Sequence, residues 1–223
     1  MKLIALVSGG KDSVYAIYKA KQDGHEVKYA ATIHSKNPDS YMYHTPNIGL
    51  TLMQSRLMGI QMVSKESLGI KEQEVMDLEI LLKNLDAEGV VCGAIASKYQ
   101  RDRVEKVCKE LKLKLLAPLW GMNPEKLLRE MLKDGFEIII TAVAADGFDE
   151  SWLGRKIDED CIKDLLKLEK KHSISIVGEG GEFETFVLDC PLFSKKLEII
   201  KAEKVWKDNS GVYEIRDAKF VDK

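Results

Sequence analysis

The segment Ser-Gly-Gly-Lys-Asp-Ser at residues 8–13 directly follows a short apolar run and opens a segment with helical periodicity. Adjacent glycines let the backbone turn tightly and approach a ligand, and a helix N-terminus presents N–H groups with a partial positive charge. Lys11 would add a point charge, Ser8 and Ser13 hydroxyl donors, and Asp12 an oxygen ligand for Mg²⁺. The segment therefore predicts a phosphate-binding turn. A plain surface turn with a serine cap is the alternative.

Other glycine-rich phosphate loops have a different spacing. A Walker A loop needs a glycine about five residues before Gly10 and a hydroxyl residue after the lysine, where this chain has Asp12. The segment also lacks the G-x-G-x-x-G pattern of dinucleotide loops. Both of these classes of nucleotide site are therefore excluded for residues 8–13.

A second segment alternates carboxylates with glycines: Gly-Glu-Gly-Gly-Glu-Phe-Glu-Thr at residues 178–185. We expect strands before and after it, Ser173–Val177 and Phe186–Leu188. In an extended chain, Glu182 and Glu184 project to the same face. Its mutually repelling carboxylates predict a site that captures a cation or a metal, or that takes a proton from ammonium. A solvated hairpin turn is the alternative.

Polar side chains also follow the predicted strand Val90–Ile95, where the next helix begins. Gln100, Arg101 and Arg103 could reach a phosphate or a carboxylate at the carboxyl edge of a sheet, where α/β proteins bind ligands. The alternative is an amphipathic helix in which Arg101 and Glu105 form an i, i+4 ion pair. We therefore favour Gln100 and Arg103 over Arg101 as ligand-binding residues.

These candidate sites require elements that hold them. Up to about residue 120, short apolar runs alternate with helical segments, a pattern typical of βαβ units around a parallel sheet. The aperiodic polar segment 35–47 predicts a binding loop. After residue 120 we expect a helix capped by Asn123-Pro124, then a strand, a further helix and several short strands through Val221. The pattern predicts a parallel-sheet α/β domain at residues 1–120 and a smaller α+β domain at residues 121–223.

Composition narrows the class of protein. Hydrophobic residues make up 45% and charged residues 31% of the 223, as in ordinary globular proteins. The net charge of -2 gives no overall attraction to nucleic acid or to an anionic membrane, so we expect neither partner. Because the opening apolar run Leu3–Val7 is too short for a signal peptide or a membrane span, we expect a cytoplasmic protein. The four cysteines lack a C-x-x-C pattern and are expected to be buried small hydrophobes.

The hexapeptide at residues 8–13 is similar to the signature of the PP-loop ATP pyrophosphatases, which cut ATP between its α and β phosphates to adenylate a substrate. Further segments resemble the diphthine ammonia ligase family. They are DSYMYH at 39–44, GAIASKYQRDRVE at 93–105, LW at 119–120, LLREML at 127–132, VAA at 143–145, LG at 153–154 and GEGGEFETFVLDCPLF at 178–193. The resemblance spans nearly the whole chain and departs at Lys98, where an acidic residue is expected.

This resemblance implies an adenine nucleotide alpha-hydrolase-like (PP-loop) domain and a smaller acceptor-substrate domain, with the site between them. It implies conversion of diphthine on translation elongation factor 2 to diphthamide, using ATP, Mg²⁺ and ammonium and releasing AMP and pyrophosphate. ATP would contact Ser8, Gly9, Gly10, Lys11, Asp12, Ser13, Ile33, His44 and Gly93, with Asp12 as the metal ligand. The acceptor would contact Gln100, Arg103, Glu179, Gly180, Gly181, Glu182, Glu184 and Thr185. The catalytic residues would be Lys11, Asp12, Glu182 and Glu184.

Other functions stay open at this point. A PP-loop tRNA-modifying enzyme or a small-molecule amidase would share the ATP chemistry but use a different acceptor, although the near-neutral charge disfavours a tRNA groove. A non-catalytic adenine-nucleotide sensor is a third alternative, which the intact Lys11 and Asp12 disfavour. A homo-oligomer is compatible with each of these functions.

Overall fold

The computed structural model describes residues 1–37, 47–70 and 72–223, which form two compact units, 1–121 and 122–223. The strands of the first unit are β1 Lys2–Leu6, β2 Glu26–Ser35, β3 Gln61–Ser67, β4 Gly89–Val91 and β5 Lys114–Leu116. Its helices are α1 Lys11–Gln22, α2 Thr51–Met58, α3 Gln73–Leu82 and α4 Lys98–Glu110. Among the described residues, no helix combines the length and the apolar character needed to cross a membrane.

The five strands of the first unit form one parallel sheet in the order β3-β2-β1-β4-β5. The chain runs outward from β1 through β2 to β3 and then returns to place β4 on the other side of β1. Strand order therefore reverses between β1 and β4. Open α/β sheets bind ligands in the crevice at the carboxyl ends of the two strands that flank such a reversal.

Packing of the first unit explains its sequence pattern. Leu3, Ile4 and Ala5 are fully buried, as expected for a central parallel strand that is covered on both faces. One core cluster joins the sheet to α3 and α4 through Ile4, Tyr29, Val75, Leu78, Leu82, Val90, Val104, Val107 and Cys108. Helix α1 contacts β1, β2 and β4 and buries Val14 and Ile17. The predicted parallel α/β domain is confirmed.

The second unit combines two helices with an antiparallel sheet. Its elements are α5 Pro124–Lys133, β6 Glu137–Val143, α6 Glu159–His172, β7 Phe183–Asp189, β8 Lys196–Lys207 and β9 Ser210–Val221. The sheet order is β7-β6-β9-β8. Helices α5 and α6 pack together and bury one apolar stripe each, including Leu127 and Ile162. The α+β class predicted for this part of the chain is confirmed.

Three local predictions about strands are wrong. The strand expected at Val90–Ile95 ends at Val91. Residues 173–177 form no strand, because Ser173 has a left-handed backbone (φ 56°) and the Ser175 N–H donates to the Glu182 side chain instead of a neighbouring strand. The several short strands expected toward the C-terminus include one hairpin of two 12-residue strands, β8 and β9, whose register shifts between Ile199 and Ala202.

Candidate functional site

The predicted phosphate-binding segment lies between β1 and α1, at the point where strand order reverses. Gly9 has φ of 84°, a backbone conformation that other residues rarely adopt, so this turn requires glycine. Gly10 is the N-cap of α1 and has no side chain to cap the first turn. The helix N-terminus therefore presents its first N–H groups and its partial positive charge at this edge of the sheet.

Two serines shape this turn from within. The Ser13 hydroxyl donates to the Gly10 carbonyl oxygen at 3.0 Å and accepts from the Ser8 N–H at 3.3 Å. The Gly10 N–H donates to the Ser8 hydroxyl oxygen at 3.4 Å. Ser8 and Ser13 therefore hold the loop conformation in addition to being candidate phosphate ligands.

Lys11 and Asp12 form an ion pair at the start of α1. The Lys11 side chain is 2% exposed, and its Nζ donates to Oδ2 of Asp12 at 2.9 Å. A buried ammonium requires an anionic partner, and a phosphate could share it with Asp12. Asp12 is 27% exposed, and the same loop contains the hydroxyls of Ser8 and Ser13, so the donors that the loop offers are hard oxygen atoms. Mg²⁺ commonly binds to one or two carboxylates together with substrate phosphates, and this set fits it.

Residues far along the chain support the loop. The side-chain amide of Gln54 on α2, which is fully buried, donates to the Gly9 carbonyl at 3.0 Å. The Thr32 hydroxyl on β2 donates to the Val7 carbonyl at the end of the β1 segment. Sequence reasoning missed both residues because a glutamine in a short helix and a threonine in a strand carry no local signal of such contacts.

Gly93 also lies against the loop. A Cβ atom at Gly93 would come within 2.7 Å of backbone atoms of Asp12 and Ser13, so the chain after β4 packs directly on the first turn of α1. The predicted ATP contact Ile33 is buried near the carboxyl end of β2, two residues beyond Ala31, whose carbonyl accepts the Val7 N–H at 2.9 Å. The predicted contact His44 lies outside the described residues.

The polar residues at the start of α4 have partners of their own. Ser97 caps the helix by accepting from the Gln100 N–H at 3.4 Å. The Arg103 guanidinium donates to the Glu72 carboxylate and lies 3.5 Å from the centre of the Tyr99 ring. Arg103 is therefore already paired with an anion, and its predicted role toward a substrate stays a prediction, as does that of Gln100.

In the second unit, the acidic segment forms the turn that leads into β7. The Glu182 carboxylate accepts from the Ser175 N–H at 2.7 Å and from the Gly180 N–H at 2.8 Å. Its own carbonyl accepts from the Ala144 N–H at 2.9 Å. Glu184 lies opposite Ala142 of β6. Glu182 therefore organises the loop that carries Glu179 and Gly181, whereas Thr185 lies in β7, opposite Ile140.

The four cysteines, all within the described residues, are free and buried, as predicted. Burial raises the pKa of Cys108 and Cys190 to about 12 and that of Cys161 to about 11. Burial also raises the pKa of Cys92. Thiols of this kind stay protonated at neutral pH and make poor nucleophiles, which disfavours sulfur transfer.

A parallel α/β sheet with a glycine-rich loop at its point of strand reversal defines a nucleotide-binding fold. Residues 1–115 match the family model described as the diphthamide synthase N-terminal domain, and residues 123–221 match the diphthamide synthase C-terminal domain. The chain belongs to the diphthamide synthase family. The family predicted from the sequence motifs is confirmed.

Relatives from several organisms carry one name, diphthine–ammonia ligase. Those of Rattus norvegicus and Homo sapiens are each 40% identical to this chain over 228 residues, which cover 92% of this chain and 85% of the relative. The Schizosaccharomyces pombe relative is 38% identical over 232 residues, 95% of this chain but 38% of that protein. Among solved structures, a Methanocaldococcus jannaschii protein titled a predicted subunit of tRNA methyltransferase is 16% identical, with a TM-score of 0.48 over 86% of this chain and 98% of that chain.

Proposed function

We propose that this protein catalyses the ATP-dependent amidation of diphthine on translation elongation factor 2 with ammonium, through an acyl adenylate, giving diphthamide, AMP and pyrophosphate. Relatives that are 40% identical over most of their length are named as ligases of diphthine and ammonia. The observation that carries the proposal is the buried Lys11 beside Asp12 in a glycine-rich turn at the strand reversal of a chain of this family.

The chemistry explains why a phosphate loop is needed. A carboxylate resists attack by ammonia because oxide is a poor leaving group, so the acid must first become an adenylate. In this proposal the first unit binds ATP, and residues 8–13 stabilise the charge that develops as pyrophosphate leaves. Each well-placed donor of this kind contributes about 3–4 kcal/mol to the transition state. When bound at Asp12, Mg²⁺ would neutralise further charge on the phosphates.

The second unit would hold the acceptor. Diphthine carries a trimethylammonium group, which cannot donate hydrogen bonds and is held best by carboxylates and aromatic faces. The acidic loop offers Glu179, Glu182 and Glu184 for this role. Because Glu182 already accepts two backbone N–H groups, it holds the other carboxylates in position. We propose that the protein acts in the cytoplasm, where translation elongation factors work.

Measuring AMP and pyrophosphate release distinguishes this function from its alternatives. The proposed ligase releases pyrophosphate when the diphthine carboxylate is adenylated and AMP when ammonia attacks the adenylate, so repeated turnover requires both the diphthine-bearing factor and ammonium. A tRNA-modifying enzyme or a small-molecule amidase would require a different acceptor, and a nucleotide sensor would bind ATP without turnover.

Replacing Lys11 tests the loop assignment. Lys11→Ala removes the buried ammonium, so we expect AMP release to fall at least a hundredfold. Lys109→Ala, which removes an exposed lysine of α4, is the matched control and should keep wild-type turnover. Thermal melting of both variants checks folding. Near-normal AMP release by a folded Lys11→Ala variant would reject the assignment.

A further inference from the structure

Three arginines in the described part of the chain lie over aromatic rings, and two of them also bind a carboxylate. Arg103 lies over Tyr99 and is paired with Glu72. Arg155 lies 4.5 Å from the centre of the Trp152 ring, with its Nη2 2.6 Å from Oδ2 of Asp164. In these two cases the guanidinium lies over an aromatic ring and also binds a carboxylate, two contacts that arginine commonly makes together.

Arg101 lies over an aromatic ring but is not paired with a carboxylate of the described residues. Its guanidinium lies 4.2 Å from the centre of the Trp120 ring, and it forms no ion pair with any residue that the structure describes. Its Nε is buried and has no hydrogen-bond partner within residues 1–37, 47–70 and 72–223. The alternative i, i+4 ion pair of Arg101 with Glu105 is not formed, and Oε1 of Glu105 binds Nζ of Lys109 at 3.0 Å.

A buried donor without an acceptor costs free energy, and the cost is greater when the group is charged. Stacking on Trp120 offsets part of this cost and fixes the plane of the guanidinium. The remaining N–H groups form a rigid fork that matches the oxygen atoms of a carboxylate or a phosphate. The arrangement is therefore suited to a ligand that supplies the oxyanion.

The position of this pair agrees with a ligand-binding role. Trp120 follows β5 in a turn closed by its N–H to the Ala117 carbonyl, and Gly121 donates to the Ile95 carbonyl at 2.8 Å. These contacts connect the Trp120 turn to the segment that follows β4. Gly93 lies in that segment and packs against the phosphate loop. Arg101 is also close enough to Cys92 for its charge to oppose the rise that burial causes in the pKa of that thiol. Arg101 and the phosphate loop thus share the carboxyl edge of the sheet.

We propose that Arg101, packed against the Trp120 ring, binds an oxyanion of the reacting pair, either a phosphate of the nucleotide or the carboxylate of the acceptor. The identity of these two ligands rests on the proposed function. Because Arg103 is paired with Glu72, this proposal makes Arg101 the first arginine of α4 to test for substrate binding.

Two calorimetric titrations of the full chain test the proposal. The first uses ATP alone; the second uses diphthine-bearing elongation factor 2 with the α,β-methylene analogue of ATP, which prevents cleavage. Arg101→Gln removes the charge, Arg101→Lys keeps the charge but loses the planar fork, and Trp120→Phe keeps an aromatic face. Arg56→Gln, on the exposed side of α2, is the matched control.

Both Arg101 variants should lower the affinity measured in one of these titrations about tenfold or more. Trp120→Phe should lower the same affinity less, and the control should bind both ligands like wild type. Weaker ATP binding identifies a phosphate as the ligand, and weaker binding of the factor identifies the carboxylate. Wild-type affinity in both titrations by an Arg101→Lys variant with wild-type melting would overturn the proposal. A wild-type chain that binds both ligands but releases no AMP would instead reject the proposed function and leave the binding result intact.

Discussion

At Glu182, a carboxylate that the sequence assigns to catalysis also holds the backbone of its own loop. Its two oxygen atoms accept from Ser175 and Gly180, at 2.7 and 2.8 Å. A substitution here therefore acts on the shape of the acidic loop as well as on its charge. Glu184 differs because it lies in β7, across from Ala142 of β6, beside a shift in the register of the two strands.

We expect Glu182→Gln to weaken the use of diphthine-bearing factor while ATP binding stays unchanged. The amide keeps one acceptor oxygen and turns an NH2 group toward the other backbone N–H, so stability should also fall by about 1–3 kcal/mol. Steady-state KM for the factor, calorimetric ATP affinity and thermal melting measure these effects separately. Glu198→Gln, on the exposed part of β8, should change none of them. Equal loss of ATP and factor binding would show that the loop supports the nucleotide.

Burial of the four thiols leads to a second prediction at the scale of single residues. Their folded pKa values are raised, to about 12 for Cys108 and Cys190 and about 11 for Cys161. Their contribution to stability is therefore complete below the ordinary thiol pKa of about 8.5 and is lost as the pH rises toward these folded values.

A thiol reagent should consequently label the native protein slowly near neutral pH and label all four cysteines once denaturant unfolds it. Denaturant midpoints should also fall between about pH 8 and pH 11. Fast labelling of a native thiol would contradict the burial described here.

At the scale of elements, α2 is connected to the phosphate loop through one buried hydrogen bond. The Gln54 side chain donates to the carbonyl of Gly9, whose positive φ is part of the turn. The helix therefore helps to keep the N–H groups of the turn in one orientation, so in the proposed function Gln54 would be a positioning residue for the nucleotide.

Gln54→Leu should leave the Gly9 carbonyl without this donor, and Gln54→Glu should place a carboxylate against it. We expect ATP affinity to fall several-fold in the first variant and further in the second, with melting temperatures that follow the same order. Gln61→Leu, on the exposed start of β3, is the control. If both variants bind ATP as tightly as wild type, α2 has no positioning role.

Local patterns predicted most elements because periodicity depends on near neighbours. The alternation of strands and helices and the glycine-rich turn before α1 could be found in this way. Contacts between residues that are distant in sequence could not be predicted in this way. Gln54 reaches a carbonyl 45 positions away, and the Ser175 N–H is satisfied by a side chain, which turns an apolar run into irregular chain. The sequence favours Arg103 over Arg101 because Glu105 stands one helical turn after Arg101, whereas the contacts with Glu72 and Trp120 involve residues remote in sequence.

At the scale of the whole molecule, each compact unit corresponds to one domain of the diphthamide synthase family. The first model covers residues 1–115 and the second covers 123–221, while the units divide after Gly121. The proposal assigns ATP to the first unit and the modified factor to the second. Neither unit alone carries both sets of candidate residues, so we expect the complete chain to be required for amidation.

The most direct test incubates the full chain with ATP, isotope-labelled ammonium and diphthine-bearing elongation factor 2, and follows the factor by mass spectrometry while AMP is counted. The account predicts one labelled nitrogen at the diphthine carboxyl group for each AMP released. AMP release without nitrogen transfer, or an unmodified factor under conditions in which the protein binds ATP, would contradict it.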